Sequence, residues 1–394
     1  MKKVVTRIAP SPTGMMHMGT VKTALVNYLF AKNMGGEFIL RIEDTDQKRF
    51  VEGAENYIKD SMEWLGIKPD RSPWDTELYR QSERNEAGLY TKYIDKLLSN
   101  GDAYYAFDTT EELEKVREED GHSFKYNGRD TRFRNSITLD KSVVDELLSN
   151  NTPHVIRFLV PENLELTTND LIRGDVSWKS EVMDDKILIK SDGMPSYHLA
   201  NVVDDFDMGV THVFRGEEWL PSLPLHIMLY DSLGFERPNW GHLPLIMNPS
   251  GKGKMSKRSA IKNGFSIFPL TVLTEDDKSN DVQMLGYKEN GYEVDAFLNF
   301  LCTLGWTPSN GKEVMTMDEM IEVFDIKNVS KSGANFDLDK LNWYNSQYTN
   351  SLNIEDLSED ITGNLSPYTE GEKVEILNLA KERSVFRTDM KIIF

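Results

Sequence analysis

An alternation of buried strands with helices near the N-terminus constrains the fold of this chain more than any other feature of its sequence. Val4–Ile8 has the pattern of a short buried strand. Apolar residues then recur at helical spacing from Thr20 until the pair Gly35-Gly36. Phe38–Ile42 is a second apolar strand, and Gly53–Leu65 a second helix. Strands and helices that alternate in this way form a parallel sheet with right-handed crossovers, so the sequence predicts an α/β fold.

The pattern changes after a further helix that ends at Gly101. Polar helices, turn signals and isolated strands follow, and they predict an α+β insertion at 101–186. The α/β pattern returns with the apolar segment Ile187–Ile189, which we assign to the sheet domain. We therefore expect this domain in two halves, 1–100 and 187–250.

The rest of the chain is predicted to be mainly helical. Thr274–Asn290 is polar and charged, which predicts a surface loop, and helical patterns dominate Val294–Phe394. The single cysteine, Cys302, excludes an intrachain disulfide and a multi-cysteine metal site, and it fits a reducing compartment. The N-terminus reaches a charge and then Pro10 too soon for a signal-peptide core, and no apolar run is long enough to span a bilayer. We therefore expect a cytoplasmic protein with no membrane partner.

The net charge of −19 argues at first sight against a nucleic-acid partner, because binding to phosphates needs basic surface. Binding is local, however, and the segment Lys125–Arg134 carries four cations and two aromatic residues. Lys252–Lys262 is a second basic stretch. Each stretch alone also fits a solvated loop, so composition leaves nucleic-acid binding open.

The loop after the first strand carries the first of two motifs, Pro10–Thr20, and leads into a helix beside His17 and Gly19. Helix N-termini present unpaired N–H groups and a partial positive charge, which suits phosphate. Gly19 lets the backbone approach a nucleotide closely, and His17 can donate a hydrogen bond to phosphate without a full fixed charge. Taken alone, His17 also fits a surface histidine near a helix start.

The second motif, Lys254–Arg258, supplies two lysines, Lys254 and Lys257, in a loop flanked by Gly251 and Gly253. Displacement of pyrophosphate from ATP builds negative charge on the triphosphate, and ammonium groups that reach it mainly in the transition state lower the barrier. Alone, this motif also fits a basic solvated loop. In this order, the two motifs predict a site that holds ATP and directs attack on its α-phosphate.

Between the motifs lie side chains suited to a small dicarboxylic amino acid. Arg7 and Arg215 each lie at or near the end of a predicted strand, where open α/β sheets bind ligands. Guanidinium groups pair with carboxylates in a two-point fork, and Glu43 is placed to hold an ammonium group. Tyr197 and Asn201 recur at helical spacing and can add neutral hydrogen bonds. Each of these residues alone also fits a structural role.

Together the motifs resemble those of bacterial glutamyl-tRNA synthetases, a family of class I aminoacyl-tRNA synthetases. The resemblance runs in order from Val4 to about Tyr348 and is carried by Pro10–Thr20, Arg41–Asp46, Tyr197–Asp205, Arg215–Trp219 and Lys254–Arg258. The Arg41–Asp46 string favours the glutamyl over the related glutaminyl enzymes. The resemblance implies a Rossmann-type parallel-sheet catalytic domain with an α+β insertion, followed by mainly helical C-terminal domains.

The resemblance also implies the chemistry and the residues that perform it. The α-carboxylate of glutamate would attack ATP, with Mg²⁺ assisting, and the 2′-hydroxyl of the terminal adenosine of tRNA(Glu) would then take the glutamyl group. The catalytic residues would be His17, Gly19, Lys254 and Lys257. L-Glutamate would contact Arg7, Ala9, Ser11, Glu43, Tyr197, Asn201 and Arg215. ATP would contact Ser11, Thr13, His17, Gly19, Thr20, Glu218, Trp219, Lys254 and Lys257. Which arginine takes which carboxylate stays open.

Family resemblance further assigns regions of the chain to parts of the tRNA. The insertion at 101–186 would bind the acceptor end, 251–325 would contact the stem and carry the lysine loop, and 326–394 would be part of a helical anticodon-binding region. Relatives continue past the position of Phe394, so we expect a C-terminally shortened fragment, and we expect a monomer. Whether tRNA(Gln) is also charged stays open, because that depends on anticodon contacts.

One departure from the family concerns zinc. Many relatives carry a structural zinc in the insertion, with a Cys-x-Cys after an Ala-Tyr pair, but here that stretch is Ala103–Asp108 and holds no cysteine. A structural zinc needs several thiolate or imidazole ligands, so we predict none.

Two alternative functions are weighed against the ligase. A non-catalytic tRNA-binding or regulatory paralogue tends to lose the histidine or lysines of the two motifs, which are intact here. A shorter relative that glutamylates a modified tRNA base lacks the C-terminal helical region, which is present here as Val294–Phe394.

Overall fold

The computed structural model describes residues 2–275, 281–353, 365 and 368–390. The first hundred residues contain β1 (Val5–Ile8), α1 (Met18–Asn33), β2 (Glu37–Leu40), α2 (Ala54–Trp64), α3 (Gln81–Glu86) and α4 (Thr91–Asn100). The strands β1 and β2 pair in parallel, with Val5 opposite Glu37, and α1 makes the crossover between them. The helix α4 ends at Gly101, whose φ of 78° lies in the left-handed region that favours glycine.

The insertion follows with its own antiparallel sheet. Its elements are β3 (Ala103–Ala106), α5 (Thr110–Asp120), α6 (Lys141–Ser149), β4 (Val155–Phe158), β5 (Glu165–Asp170), β6 (Gly174–Lys179) and β7 (Ile187–Ile189). The strands β3, β4 and β7 form one antiparallel sheet with β4 in the middle. The strands β5 and β6 form a separate hairpin.

The second half of the core completes the parallel sheet. It contains α7 (Tyr197–Asp207), β8 (His212–Gly216), α8 (Leu223–Leu233) and β9 (Asn239–Leu243). The strands β8 and β9 pair in parallel, and β8 lies beside β1, where the Thr211 amide donates to the Val5 carbonyl at 2.9 Å. The predicted α/β fold with a parallel sheet is confirmed.

Strand pairing crosses the predicted boundary between insertion and core in both directions. The assignment of Ile187–Ile189 to the parallel sheet was wrong, because this strand, β7, pairs with β4 of the insertion. Conversely, the hairpin of β5 and β6, predicted within the insertion, joins the core sheet through parallel pairing of Asp170 with Trp240 on β9. Short strands carry no local signal for their partner, so their sheet is decided by contacts distant in sequence.

The remaining elements are β10 (Ile246–Met247), α9 (Lys257–Asn263), β11 (Val272–Glu275), β12 (Asp281–Met284), α10 (Val294–Thr303), α11 (Met317–Val323), β13 (Ala334–Asn335), α12 (Leu338–Ser351) and α13 (Glu370–Arg383). The strands β11 and β12 form an antiparallel pair, so the loop predicted for Thr274–Asn290 was wrong at 274–275 and 281–284. Residues 285–290 are turn or irregular, as predicted, and 276–280 lie outside the described residues. The prediction of helices after Val294 is confirmed for the described part of that region.

Apolar packing joins the helical region directly to the core. Leu25 of α1, Phe38 of β2, and Phe297 and Leu301 of α10 are completely buried in one continuous cluster. A second cluster, built around α7, α8 and β9, covers the other side of the sheet. In the part of the chain that the structure describes, no helix is both long and apolar enough to cross a membrane.

Candidate active site

The C-terminal ends of β1, β2 and β8 open onto one cleft of about 1310 Å³. The site residues predicted from the sequence all line this cleft: Arg7, Ala9, Ser11, Thr13, His17, Gly19, Thr20, Glu43, Tyr197, Asn201, Arg215, Glu218, Trp219, Lys254 and Lys257. They come from five separate stretches of the chain. The two motifs therefore meet in space, as an ATP site requires.

His17 caps the N-terminus of α1 and lines the cleft. Its Nδ1 accepts a hydrogen bond from the amide of Gly19 at 3.1 Å, so the proton of the neutral ring is on Nε2. Burial and the nearby Lys254 lower the pKa of His17 below its ordinary value. A Cβ on Gly19 would lie 2.9 Å from Cε1 of the His17 ring, so glycine is needed for this packing. The result is a neutral N–H donor at the positive end of a helix.

The lysine loop reaches the same cleft from the other side. Lys254 Nζ lies 2.8 Å from Glu218 Oε1, and both side chains are about half exposed. The loop is anchored next to Lys254, because the amide of the buried Met255 donates to the carbonyl of Ile246 at 2.9 Å. Lys257 is the first residue of α9. The ammonium group of Lys254 is thus held near the cleft by an exposed ion pair that a ligand can replace.

A buried ion network supports the predicted amino-acid subsite. Arg41 is completely buried and contacts Glu43 Oε1 at 3.2 Å and Asp205 Oδ1 at 2.8 Å. Asp205 also accepts from Arg7 Nε at 3.1 Å, and Asn201 donates to Glu43 Oε1 at 2.8 Å. Burial alone would raise the pKa of Asp205, but Arg7 and Arg41 hold it below its ordinary value. Burial dominates at Glu43 and raises the pKa of that carboxyl.

Arg215 differs from Arg7 in having no carboxylate within ion-pair distance among the described residues. Its guanidinium donates to the Tyr197 hydroxyl and to His242 Nε2 at 3.1 Å each, and to the Trp219 carbonyl at 3.3 Å. His226 Nδ1 lies 3.3 Å from the same guanidinium. Arg215 itself is buried. A buried cation surrounded by neutral acceptors is a site for an anionic ligand.

Several residues of this site were not singled out by sequence reasoning. Arg41 and Asp205 lie beneath the amino-acid subsite, and His226, His242 and Asp170 lie behind Arg215. For Arg41 and His242, the signal that could have identified them is a charged or imidazole side chain in or next to an apolar strand. No local pattern indicates that Asp170 lies beside β9.

Comparison with known proteins decides the family. The family model of tRNA synthetases class I (E and Q), catalytic domain, matches residues 3–343. A glutamate–tRNA ligase of Christiangramia forsetii is 47% identical over 98% of this chain and 78% of its own length. This chain belongs to the glutamate–tRNA ligase family. The ligases of Flavobacterium johnsoniae and Flavobacterium psychrophilum are 46% and 50% identical over 98% and 88% of the chain.

Solved glutamate–tRNA ligase structures have the same fold. The crystal structure of a glutamate tRNA ligase from Elizabethkingia meningosepticum in complex with its amino acid superposes with a TM-score of 0.92 at 46% identity, and covers 99% of this chain and 79% of that one. The family resemblance, the fold and the ligase class predicted from the sequence are thereby confirmed. The roles of the individual site residues stay predictions.

The glutamate–tRNA ligase family uses ATP, typically with Mg²⁺. Among the described residues, no group of three or more His, Cys, Asp or Glu side chains is placed to hold a metal ion. The predicted lack of zinc stays a prediction, as do the domain boundaries.

The basic segment Lys125–Arg134 is largely neutralised by its own neighbours. Arg132 pairs with Asp120 at 2.8 Å and with Asp130 at 2.7 Å, and Arg134 lies 3.0 Å from Glu112. The surface here is therefore less positive than the composition of the segment indicates.

Proposed function

We propose that this chain activates L-glutamate with ATP, forming glutamyl-adenylate and pyrophosphate, and transfers the glutamyl group to the 2′-hydroxyl of the terminal adenosine of tRNA(Glu). The observation that carries the proposal is the cleft: a buried Arg215, with no carboxylate at ion-pair distance among the described residues, lines it together with His17 and Lys254. The family membership of the chain supports the same reaction.

The amino-acid subsite matches the charges of glutamate. Arg7 and Arg215 provide two cations for its two carboxylates, and Glu43 provides an anion for its ammonium group. Asn201 and Tyr197 orient Glu43 and Arg215 through neutral hydrogen bonds. The hydroxyl of Ser11 and the backbone at Ala9 complete the proposed contacts. Because both arginines are buried, an uncharged amide in place of a carboxylate loses a charge-assisted hydrogen bond to a guanidinium and binds less tightly.

The nucleotide subsite supplies donors where charge develops. Attack by the glutamate carboxylate on the α-phosphate places negative charge on the departing pyrophosphate, and Lys254 and Lys257 stabilise that charge. The Nε2–H of His17 and the start of α1 at Gly19 and Thr20 bind phosphate oxygens. Thr13, Ser11, Glu218 and Trp219 are assigned to the rest of ATP. Mg²⁺ bound together with ATP would neutralise part of the phosphate charge.

We propose that successive regions of the chain contact different parts of the tRNA. We assign the acceptor end to 101–186, the stem contact to 251–325, and part of the anticodon contact to 326–394.

Since ATP and tRNA are cytoplasmic, the proposed activity is cytoplasmic, and we propose that the chain acts as a monomer. Intact His17 and lysine side chains in one cleft favour the ligase over a non-catalytic paralogue, and α12 belongs to the helical region that the tRNA-modifying relative lacks.

The test is glutamate-dependent exchange of pyrophosphate into ATP, measured with and without tRNA(Glu). Lys257→Ala is compared with Lys262→Ala, a matched change on the exposed side of the same helix α9. We expect Lys257→Ala to slow single-turnover adenylate formation by about 100- to 1,000-fold, and Lys262→Ala to have little effect. A wild-type protein that binds ATP but shows no exchange with or without tRNA would favour the non-catalytic paralogue. An unchanged rate in Lys257→Ala would refute the role of that lysine.

A further inference from the structure

The guanidinium of Arg215 is oriented entirely by neutral groups. Its four partners in the described structure are the Tyr197 hydroxyl, the Trp219 carbonyl, and one ring nitrogen each of His226 and His242. Such partners orient the guanidinium without neutralising it, whereas a carboxylate would compete with the ligand for the same charge. The geometry therefore keeps the full positive charge of Arg215 for an anion.

The hydrogen-bond direction at His242 is determined by Asp170. His242 Nδ1 lies 2.6 Å from Asp170 Oδ2, and a carboxylate only accepts, so the ring proton is on Nδ1. His242 Nε2 is then a lone pair, and it accepts from Arg215 Nε at 3.1 Å. Either the other tautomer or a protonated ring would place an N–H against the N–H of Arg215. Burial lowers the pKa of His242, which favours the neutral ring.

Asp170 is itself rigidly held at the end of β5. Its Oδ1 accepts from the amides of Arg173 at 2.8 Å, Ile172 at 3.0 Å and His242 at 3.2 Å. Asp170 and His242 are both completely buried or nearly so. The Asp170 carboxylate therefore acts on Arg215 through the His242 imidazole. The ring fixes the direction of the guanidinium, and because it lies between the two groups the negative charge does not contact the guanidinium.

We propose that Asp170 and His242 are positioning residues for the amino-acid substrate: Asp170 selects the His242 tautomer that holds Arg215 ready to bind a carboxylate of glutamate. This inference rests on the proposed function, in which Arg215 binds glutamate. It assigns to the β5–β6 hairpin, which lies between the two halves of the core in sequence, a part in amino-acid recognition.

The decisive variant is Asp170→Asn. Its Oδ1 keeps the three backbone contacts, but its amide N–H faces His242 Nδ1, which drives the ring proton to Nε2 and against Arg215. We expect the KM for glutamate in pyrophosphate exchange to rise about 10- to 100-fold, since a buried donor loses its acceptor, while the KM for ATP stays within about twofold. The matched control is Asp175→Asn, the same change at an exposed position of the same hairpin, which should leave both constants unchanged.

A second substitution separates tautomer control from a merely structural role. Gln at position 242 offers an amide oxygen to Arg215 whatever residue 170 is, so His242→Gln added to Asp170→Asn should restore most of the glutamate KM. If Asp170→Asn does not fold, His242→Gln is compared with His242→Leu, and only the leucine variant should lose glutamate affinity. A normal glutamate KM in Asp170→Asn, no rescue by glutamine, or equal defects in the Gln and Leu variants would overturn the inference. A wild-type protein without glutamate-dependent exchange would instead refute the proposed function.

Discussion

Replacement of Lys22 by methionine should stabilise this protein. Lys22 lies on α1 with only 4% of its surface exposed, and its Nζ has no hydrogen-bond partner among the described residues. The side chain lies at an edge of the cleft, and a Cβ built on Gly305 would lie in ordinary van der Waals contact with Nζ, at 3.6 Å. Burial lowers the pKa of Lys22 from 10.5 to about 8. The protonated amine is therefore unfavourable in the folded state.

The magnitude follows from the two pKa values. At 1.36 kcal/mol per pKa unit, the difference between 10.5 and about 8 corresponds to about 3 kcal/mol of lost stability. Because the folded pKa is the lower one, the unfolded chain binds more protons between these two values, and stability rises with pH there. The penalty is complete below pH 8 and disappears as the pH approaches 10.5. Methionine has a similar length and no charge, so it removes the penalty at every pH.

The assay is urea unfolding of wild type and Lys22→Met, followed by tryptophan fluorescence at pH 7 and pH 10. We expect the variant to be more stable by about 3 kcal/mol at pH 7 and by only about 1 kcal/mol at pH 10. Cys302, whose thiol pKa burial raises to about 12, is present in both proteins, so its contribution largely cancels. Lys115→Met, at an exposed position of α5, is the matched control and should show no such gain. A variant no more stable than wild type at pH 7, or a gain equal at both pH values, would refute the reasoning.

Two further expectations concern the cleft. Arg215→Ala should weaken glutamate binding by at least about 100-fold, because it removes the buried cation that has no carboxylate partner among the described residues. The affinity for ATP should be retained, and calorimetry with each ligand measures the two affinities separately. An undiminished affinity for glutamate would contradict the assignment of Arg215. Gly19→Ala should displace the His17 ring, since the new methyl lies 2.9 Å from Cε1, and slow adenylate formation by about 10-fold or more. Gly371→Ala, where an added Cβ meets nothing within 4 Å, is its control, and equal rates in the two alanine variants would count against the packing argument.

The sequence predicted most of the elements that build the site. The apolar periodicities around Val21 and Ile58 marked α1 and α2, and the strands β1 and β2 lie within two residues of their predicted positions. The first motif was predicted on a loop and helix start, as the structure has it. The second was predicted on a later loop, which is confirmed for Lys254 but wrong for Lys257, the first residue of α9. These predictions succeeded because helical and strand periods, caps and turn residues are properties of neighbouring residues along the chain.

Pairings between distant segments could not be predicted in the same way. The strand Ile187–Ile189 was assigned to the wrong sheet, and nothing in Glu165–Lys179 indicated that it would place Asp170 beside Trp240. A short apolar strand fits either sheet equally well, and the choice is made by packing and by backbone hydrogen bonds with residues far along the chain.

Residue types and their spacing were sufficient to define the chemistry of the cleft, because phosphate and carboxylate ligands require particular donors and charges wherever they bind. Whether those donors keep their charge and point toward the ligand depends on the side chains that the fold packs around them. The charge of Arg215 stays unneutralised only because the fold surrounds it with neutral acceptors, and its direction depends on a proton that Asp170 holds on His242. Burial and tautomer are properties of packed atoms in three dimensions, and no linear pattern records them.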